Sequence, residues 1–204
     1  MTPAIAAVLS IALLDVDLGV RAGVSRPYGA FDATTHVTDT TFGSTPLAID
    51  GTITIAETSA WRFYAGAMAS FAPTIPTLCD AFDDCMSSVG SDIELLGLVR
   101  LRGSRRMLFF FPEAELGAGW SWSSRRLAND GVESTRSWNG PVLARVAFVP
   151  TFRLGARTRL GVVFGASLAR SASFELEAPG VHREGLEGAR LHGTFDLGIR
   201  FAFE

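Results

Sequence analysis

The segment HGTFDLGIRFAFE, residues 192–204, alternates between two kinds of side chain. One row is uncharged and mostly apolar, and contains Gly193, Phe195, Leu197, Ile199, Phe201 and Phe203. The other row is mostly polar, and contains His192, Thr194, Asp196, Gly198, Arg200, Ala202 and Glu204. A period of two is typical of a β-strand and does not fit the 3.6-residue period of a helix. The segment is therefore predicted to be a strand with one face kept from water.

Seven earlier segments repeat this alternation. They cover residues 15–25, 46–57, 61–72, 92–102, 108–122, 142–154 and 159–171. In the fourth of them Leu96 and Leu98 are exceptions, because they fall on the polar row. A strand that crosses a membrane at a tilt needs about 9 to 11 residues, and each of the eight predicted strands is long enough. The pattern predicts an all-β fold in which the last strand finds its neighbours among the earlier ones.

The connections between these strands alternate in length. Short links are predicted at residues 58–60, 103–106 and 155–158, and long links at residues 26–45, 73–91, 123–140 and 174–191. Tight turns at one end and long loops at the other are typical of bacterial outer-membrane barrels, whose short turns are periplasmic.

Composition limits the remaining choices. The chain has 204 residues, of which 48% are hydrophobic, and its mean hydropathy is +0.26. No apolar run reaches the roughly 18 to 20 residues of a membrane-spanning helix. A net charge of −3 with scattered arginines gives no nucleic-acid footprint. We expect one barrel domain over residues 15–204, with residues 1–14 as either the remnant of a signal peptide or a lead-in to the first strand.

The free energy cost of placing a charge in lipid determines whether the charged rows face the interior of the barrel or its exterior. An arginine that faces lipid at mid-membrane costs about 2 to 4 kcal/mol, so in a membrane the charged rows must point inward and pair with each other. The predicted internal charge network contains Arg21, Asp50, Arg62, Glu94, Arg100, Glu113, Glu115, Arg145, Arg153, Asp196 and Arg200. A soluble lipocalin-like barrel would have the opposite arrangement. The alternating links and the aromatic residues near the strand ends favour the membrane.

The alternating strands, the four long loops and the terminal segment IRFAF resemble the small eight-stranded outer-membrane barrels of the OmpA/OmpX type. The second long loop, which contains two cysteines, is similar to that of uncharacterised outer-membrane barrels of GC-rich proteobacteria, myxobacteria among them. The resemblance covers residues 15–204. It implies a closed, antiparallel, up-and-down transmembrane β-barrel in the bacterial outer membrane, with four extracellular loops and three periplasmic turns. The outward row of the last strand resembles the signal read by the barrel-insertion machinery, here Phe195, Leu197, Ile199, Phe201 and Phe203.

The same resemblance implies a set of partners. We expect contact with outer-membrane lipid and lipopolysaccharide, recognition by the insertion machinery, a monomeric state, and neither nucleic acid nor cofactor.

Cys79 and Cys85 lie close together in the segment TLCDAFDDC. The favoured hypothesis is a disulfide that closes a small loop, which contributes about 2 kcal/mol by chain entropy and requires an oxidising compartment. The alternative is a pair of free thiols. Asp80, Asp83 and Asp84 could hold calcium, but no EF-hand spacing is present and solvated loop acids are the favoured interpretation. No metal site is expected.

Catalysis has one candidate. His192 begins the last strand on the same row as Thr194 and Asp196, a set that could serve a lipid-modifying hydrolase. A polar residue that fills the interior is the favoured interpretation. The other histidines, His36 and His182, lie in predicted loops without a recognisable motif. No catalytic residue is therefore assigned.

Function is inferred from the architecture. The interior of an eight-stranded barrel is just wide enough to be filled by side chains, so a wide pore is disfavoured. The leading hypothesis is a structural or surface-interaction protein of the outer membrane. An enzyme that modifies lipid or lipopolysaccharide is the second, and a soluble carrier with an apolar cavity is the third.

Overall fold

The computed structural model describes residues 16–30, 46–74, 77–79, 85–129, 132–170, 173–178, 180–185 and 191–203. Within these ranges no helix is long and apolar enough to span a membrane. The predictions for residues 1–14, for His36 and for the aspartates near the cysteines lie outside the described residues.

The described chain contains twelve β-strands. They are β1 (Val16–Ala30), β2 (Leu47–Glu57), β3 (Trp61–Thr74), β4 (Thr77–Cys79), β5 (Cys85–Gly103), β6 (Glu113–Asn129), β7 (Val132–Phe148), β8 (Thr151–Arg153), β9 (Thr158–Arg170), β10 (Ser173–Ala178), β11 (Val181–Gly185) and β12 (Leu191–Phe203). All their pairings are antiparallel. The predicted all-β antiparallel fold is confirmed.

Eight of these strands form a ring. Around it the order is β1, β2, β3, β5, β6, β7, β9 and β12, and the register of β12 against β1 runs from Leu18 opposite Phe203 to Ala30 opposite His192. Each ring strand corresponds to one of the eight segments predicted from the alternation. The strand that ends the described chain therefore pairs with the one that begins it, so neither presents a free edge along this ladder.

The strands are longer than predicted at one end of the ring. The ladder of β6 and β7 continues to the pair Asn129 and Val132, so the predicted long link at residues 123–140 is wrong. Strand β5 similarly begins at Cys85. These extensions could not be predicted from alternation, because a sheet that has water on both sides can be polar on both faces and then has no apolar row to detect. Strands β10 and β11 continue this extended sheet, since β10 pairs with β7 and β11 pairs with β10.

At the other end two predicted strands are interrupted. Residues 108–112 form no part of β6, because Met107 and Phe110 exchange backbone hydrogen bonds of 2.8 and 3.2 Å and Leu108 has a φ of 61°. The link after β5 is therefore longer than the predicted 103–106. The sixth predicted strand divides at Pro150, which has no N–H to donate to a ladder. Its two parts are β7 and β8.

The two faces of the ring differ sharply in polarity. Large apolar side chains along the ring strands are exposed on the exterior, among them Leu18, Ile49, Leu95, Leu116, Phe164 and Ile199, while charged side chains are buried inside. A soluble lipocalin-like barrel requires the opposite arrangement, so this geometry argues against that alternative. One apolar residue departs from its predicted row. Val142 is 2% exposed and points inward, because the register shift between Val142 and Ala144 reverses the parity of β7.

Candidate functional site

A cluster of charged side chains occupies the interior of the ring near its short-turn end. Its acidic and basic members are equal in number, and none is more than 5% exposed. We call it the ionic cluster; it comprises Asp17 and Arg21 of β1, Asp50 of β2, Arg100 and Arg102 of β5, Glu113 and Glu115 of β6, and Arg200 of β12. Because its formal charges sum to zero, the cluster needs no counterion from solvent.

One pair in this cluster spans the interior. The guanidinium of Arg21 donates two parallel hydrogen bonds to the carboxylate of Glu115, of 2.6 and 2.8 Å. Strands β1 and β6 lie on opposite sides of the ring, four positions apart in either direction. Bidentate pairing of this kind fixes both distance and orientation. The contact therefore joins opposite walls of the ring at this level.

Arg100 is the central cation of the cluster. It donates to Asp50 at 2.6 Å, to Glu115 at 2.8 Å and to both Asp17 and Thr52 at 3.0 Å. Its side chain is fully buried. These contacts tie β5 to β1, β2 and β6, so Arg100 connects strands that are not neighbours in the ring.

Arg102 and Arg200 complete the network. Arg102 donates to Asp17 at 2.5 Å, to Glu113 at 2.6 Å and to the hydroxyl of Tyr64 at 3.0 Å. Arg200 donates to Asp50 at 2.7 Å and also bonds Asp17. A buried charge is costly unless it is paired and hydrogen-bonded, and every charged member of the cluster has at least one such partner.

A glycine makes room for this network. Gly19 lies on the inward row of β1, and a Cβ atom placed there would come within 2.7 Å of both the Arg200 guanidinium and the Asp50 carboxylate. Only a residue without a side chain allows these two groups to approach the strand so closely. Gly19 is thus a part of the site, because it leaves the space that these charges occupy.

Above the ionic cluster, toward the extended strands, the interior becomes mixed. Arg145 pairs with Asp196, Ser70 donates to Glu94 at 3.5 Å, and the hydroxyls of Ser167 and Thr194 are hydrogen-bonded to each other. An apolar group lies among them: Ala48, Met68, Leu96, Leu98 and Val142. Leu96 and Leu98, the two exceptions in the predicted pattern, therefore pack against other apolar side chains inside the ring.

The structure divides the predicted charge network into three parts. Arg21, Asp50, Arg100, Glu113, Glu115 and Arg200 lie in the ionic cluster, whereas Glu94, Arg145 and Asp196 lie above it. Arg62 and Arg153 are not among the buried charges of either group. Arg62 pairs at 2.7 Å with Glu57 beside the β2–β3 turn, and Arg153 is exposed in β8. Both lie at the extreme short-turn end, where a side chain reaches water instead of the interior.

The parity of the predicted strands places Asp17 and Arg102 on the inward charged rows, although neither is among the residues named above for the network. Thr52 and Tyr64 also lie on polar rows, but no role in the network was predicted for them. Tyr64 also has inward parity and is fully buried, and Arg102 lies 4.8 Å above its ring. The parity of each strand therefore identifies which side chains point inward. It does not identify the partner of each charge, because that depends on which strands face each other across the ring.

The geometry gives no support to the catalytic alternative. Thr194 and Asp196, the two described members of that set, are engaged with Ser167 and Arg145 respectively. The side chain of His192 lies outside what is described. Across the described ranges, no group of acidic, histidine or cysteine side chains has the arrangement of a metal site.

The remaining predicted residues lie at two other places. Phe195, Leu197, Ile199, Phe201 and Phe203 all face outward from β12 and are between 37% and 57% exposed. Cys79 and Cys85 are directly opposite each other in the ladder of β4 and β5. Their sulfur atoms lie outside the described part of the chain, so the disulfide stays a prediction.

The sequence matches no protein-family model and no curated protein. Its fold does match solved structures. A major outer membrane protein from Thermus thermophilus is 13% identical, with a TM-score of 0.61 over 93% of this chain and 100% of that chain. The outer membrane protease OmpT from Escherichia coli is 10% identical, with a TM-score of 0.48 over 93% and 95% of the two chains. Ail, the attachment invasion locus protein of Yersinia pestis, is 11% identical, with a TM-score of 0.44 over 93% and 97%.

The chain thus has the fold of a bacterial outer-membrane β-barrel protein. An eight-stranded ring with charges inside and apolar side chains outside is the arrangement that a membrane requires. Fold and exterior together support a location in the bacterial outer membrane.

Proposed function

We propose that this protein is a closed, eight-stranded outer-membrane barrel of the OmpA/OmpX type that acts as a structural or surface-interaction protein and not as a pore. The observation that carries the proposal is the Arg21–Glu115 pair, which joins opposite walls of the ring at 2.6 Å. A barrel occluded at this level cannot pass solutes, so its function depends on what it presents at its ends.

Two aromatic belts support a membrane-spanning arrangement. Phe71 and Trp122 lie in register on either side of Ile93 near the extended end, whereas Trp61 lies at the short-turn end. Aromatic side chains are enriched at both membrane interfaces. On β12, Phe195 and Phe203 are eight residues apart, which is about 26 Å along the strand at 3.3 Å per residue. Because barrel strands are tilted by about 35 to 45°, this length covers roughly 20 Å of the membrane normal, which is most of an apolar band about 25 Å tall.

Beyond the upper belt the sheet continues into water. From Ser123 to Asn129, β6 extends about 23 Å past Trp122 at 3.3 Å per residue, and it stays paired with β7. β10 and β11 widen this sheet, and β11 pairs only with β10 among the described strands. An exposed strand edge is a surface on which an extended partner can add. We infer that this protruding sheet is the interaction surface.

The proposal includes the expected partners and source. The exterior contacts outer-membrane lipid and lipopolysaccharide, the outward row of β12 is read by the insertion machinery, and the protein is a monomer. All 18 basic residues are arginine, which is in keeping with an origin in the GC-rich proteobacteria, a group that includes the myxobacteria.

A disulfide between Cys79 and Cys85 is also part of the proposal. Directly opposed residues in an antiparallel ladder have Cα atoms about 4.5 to 5.5 Å apart, which is within the range that a disulfide spans.

The test combines conductance with surface display. In planar bilayers the purified protein should show no steady channel, whereas an Arg21→Ser/Glu115→Ser double variant, which keeps the charge balance, should conduct. A peptide tag inserted between Asn129 and Val132 should be reached by antibody on intact cells, and the protein should migrate differently on gels when unheated and boiled. Steady conductance of the unmodified protein would contradict the proposal, as would a tag that antibody reaches only after the outer membrane is opened.

A further inference from the structure

The short-turn end of the ring carries an exposed apolar patch that the proposed function does not use. It lies on two neighbouring links, residues 104–112 between β5 and β6 and residues 154–157 between β8 and β9. Leu108 is 89% exposed and Phe109 is 68% exposed, and Met107 and Leu154 are each 59% exposed. Side chains this apolar are rarely left together in water.

This patch is ordered by contacts with the outer face of the ring. The ring of Phe109 stacks on Phe152 at 5.9 Å with an interplanar angle of 15°, and Phe110 meets Phe148 edge-on at 6.2 Å. Phe148 belongs to the exposed exterior row of β7. The backbone of Phe111 also exchanges hydrogen bonds of 2.8 and 3.0 Å with Thr151. The patch is therefore continuous with the apolar surface that faces lipid.

Four exposed arginines lie on or next to the same two links. Arg105, Arg106, Arg153 and Arg157 are all exposed, and neither residues 103–112 nor residues 150–162 contain an aspartate or glutamate. Arg106 lies 5.6 Å from the ring centre of Phe111. These two links thus combine exposed aromatic rings with a positive charge that no acidic residue within either link balances.

We propose that this patch binds the anionic phospholipid headgroups of the leaflet at the short-turn end. The inference rests on the proposed membrane-spanning function. The apolar residues continue the lipid-facing band into the interface, where aromatic side chains are favoured. The arginines lie where phosphate oxygens would be, and a guanidinium binds phosphate in bidentate fashion. A zwitterionic headgroup would leave the positive charge of the patch uncompensated, so the preference is for negatively charged lipid.

Trp61 offers a reporter of lipid at this end, because it faces outward directly opposite Gly103, the last residue of β5. The protein is placed in nanodiscs of phosphatidylcholine with a minor fraction of phosphatidylglycerol, with one of the two lipids brominated at a time. The other three tryptophans are replaced by phenylalanine. Brominated phosphatidylglycerol should quench Trp61 more strongly than its mole fraction predicts. The excess of quenching over that expected from the mole fraction measures the preference of the patch for phosphatidylglycerol. At low salt each arginine removed should lower this preference by about fivefold, and added salt should also weaken it.

The decisive variant is Arg105→Gln/Arg106→Gln/Arg153→Gln/Arg157→Gln, in which the preference should disappear. A control variant, Arg126→Gln/Arg170→Gln, removes two exposed arginines at the opposite end and should leave the preference unchanged, whereas Arg105→Gln/Arg106→Gln, which removes two arginines of the patch, should weaken it. Equal quenching by both lipids, or a quadruple variant that keeps the preference, would overturn the inference. If neither brominated lipid quenches Trp61, the membrane-spanning arrangement itself fails. Dimers that form in unmodified nanodiscs and vanish in the quadruple variant would assign the patch to a second copy of the chain and likewise overturn it.

Discussion

Replacing Arg100 with methionine tests whether the ionic cluster holds the ring together. The substitution keeps a long side chain but removes the guanidinium that donates to Asp17, Asp50 and Glu115. The cluster then has four carboxylates facing three arginines, all of them buried. Removing one partner of a buried ion pair costs about 3 to 5 kcal/mol, because the charge left behind has no compensation. We expect a loss of stability within this range.

Unfolding by urea in detergent micelles, followed by the gel shift between folded and boiled protein, measures the loss. Arg62→Met is the matched control, since Arg62 pairs with Glu57 at 2.7 Å but both side chains are partly exposed. An exposed pair contributes about 0 to 1 kcal/mol, so this variant should behave almost as the unmodified protein does. Arg100→Met/Glu115→Gln restores the charge balance and should recover part of the loss. If Arg100→Met were no more destabilising than Arg62→Met, the cluster would not brace the ring.

Three further changes test the close packing, the exterior and the cysteines. Gly19→Ala should destabilise the barrel by about 1 to 3 kcal/mol, because its Cβ would overlap the buried Arg200 guanidinium and Asp50 carboxylate and displace them from their ion pair; unchanged urea unfolding would refute this. Ile199→Arg places a charge on the lipid face and should cost about 2 to 4 kcal/mol in bilayer unfolding, whereas Val16→Arg, near the interface, should cost about 0 to 1 kcal/mol. Equal costs would exclude a lipid-facing Ile199. Purified protein should contain no titratable thiol until it is reduced, and free thiols at both Cys79 and Cys85 would refute the disulfide.

The sequence predicted the ring strands well and their ends poorly. Within the membrane, lipid on one side and packed charges on the other force a strict alternation, and β12 displays it from His192 to Phe203. Beyond the aromatic belt that constraint disappears, since both faces of the sheet are in water. The ladder from Ser123 to Asn129 therefore looked like a loop.

Two local irregularities could not be predicted from the alternation of side chains either. The register shift at Val142 and the break at Pro150 each alter which way a side chain points. A bulge changes parity by one residue, and nothing in the alternation of a single strand reveals it, because the extra residue is defined only against the partner strand.

The sequence by itself determined the class of fold, because the alternation of side chains is a local property. It also determined that the charged rows face the interior of the ring, because an arginine that faces lipid is costly. Which charges pair was decided by the tertiary structure alone. Arg21 meets Glu115 across 94 positions of sequence because ring closure brings β1 opposite β6. The same closure brings Arg100 to Asp17. Contacts of this kind depend on the circular order and stagger of all eight strands together, and no segment of the chain contains that information.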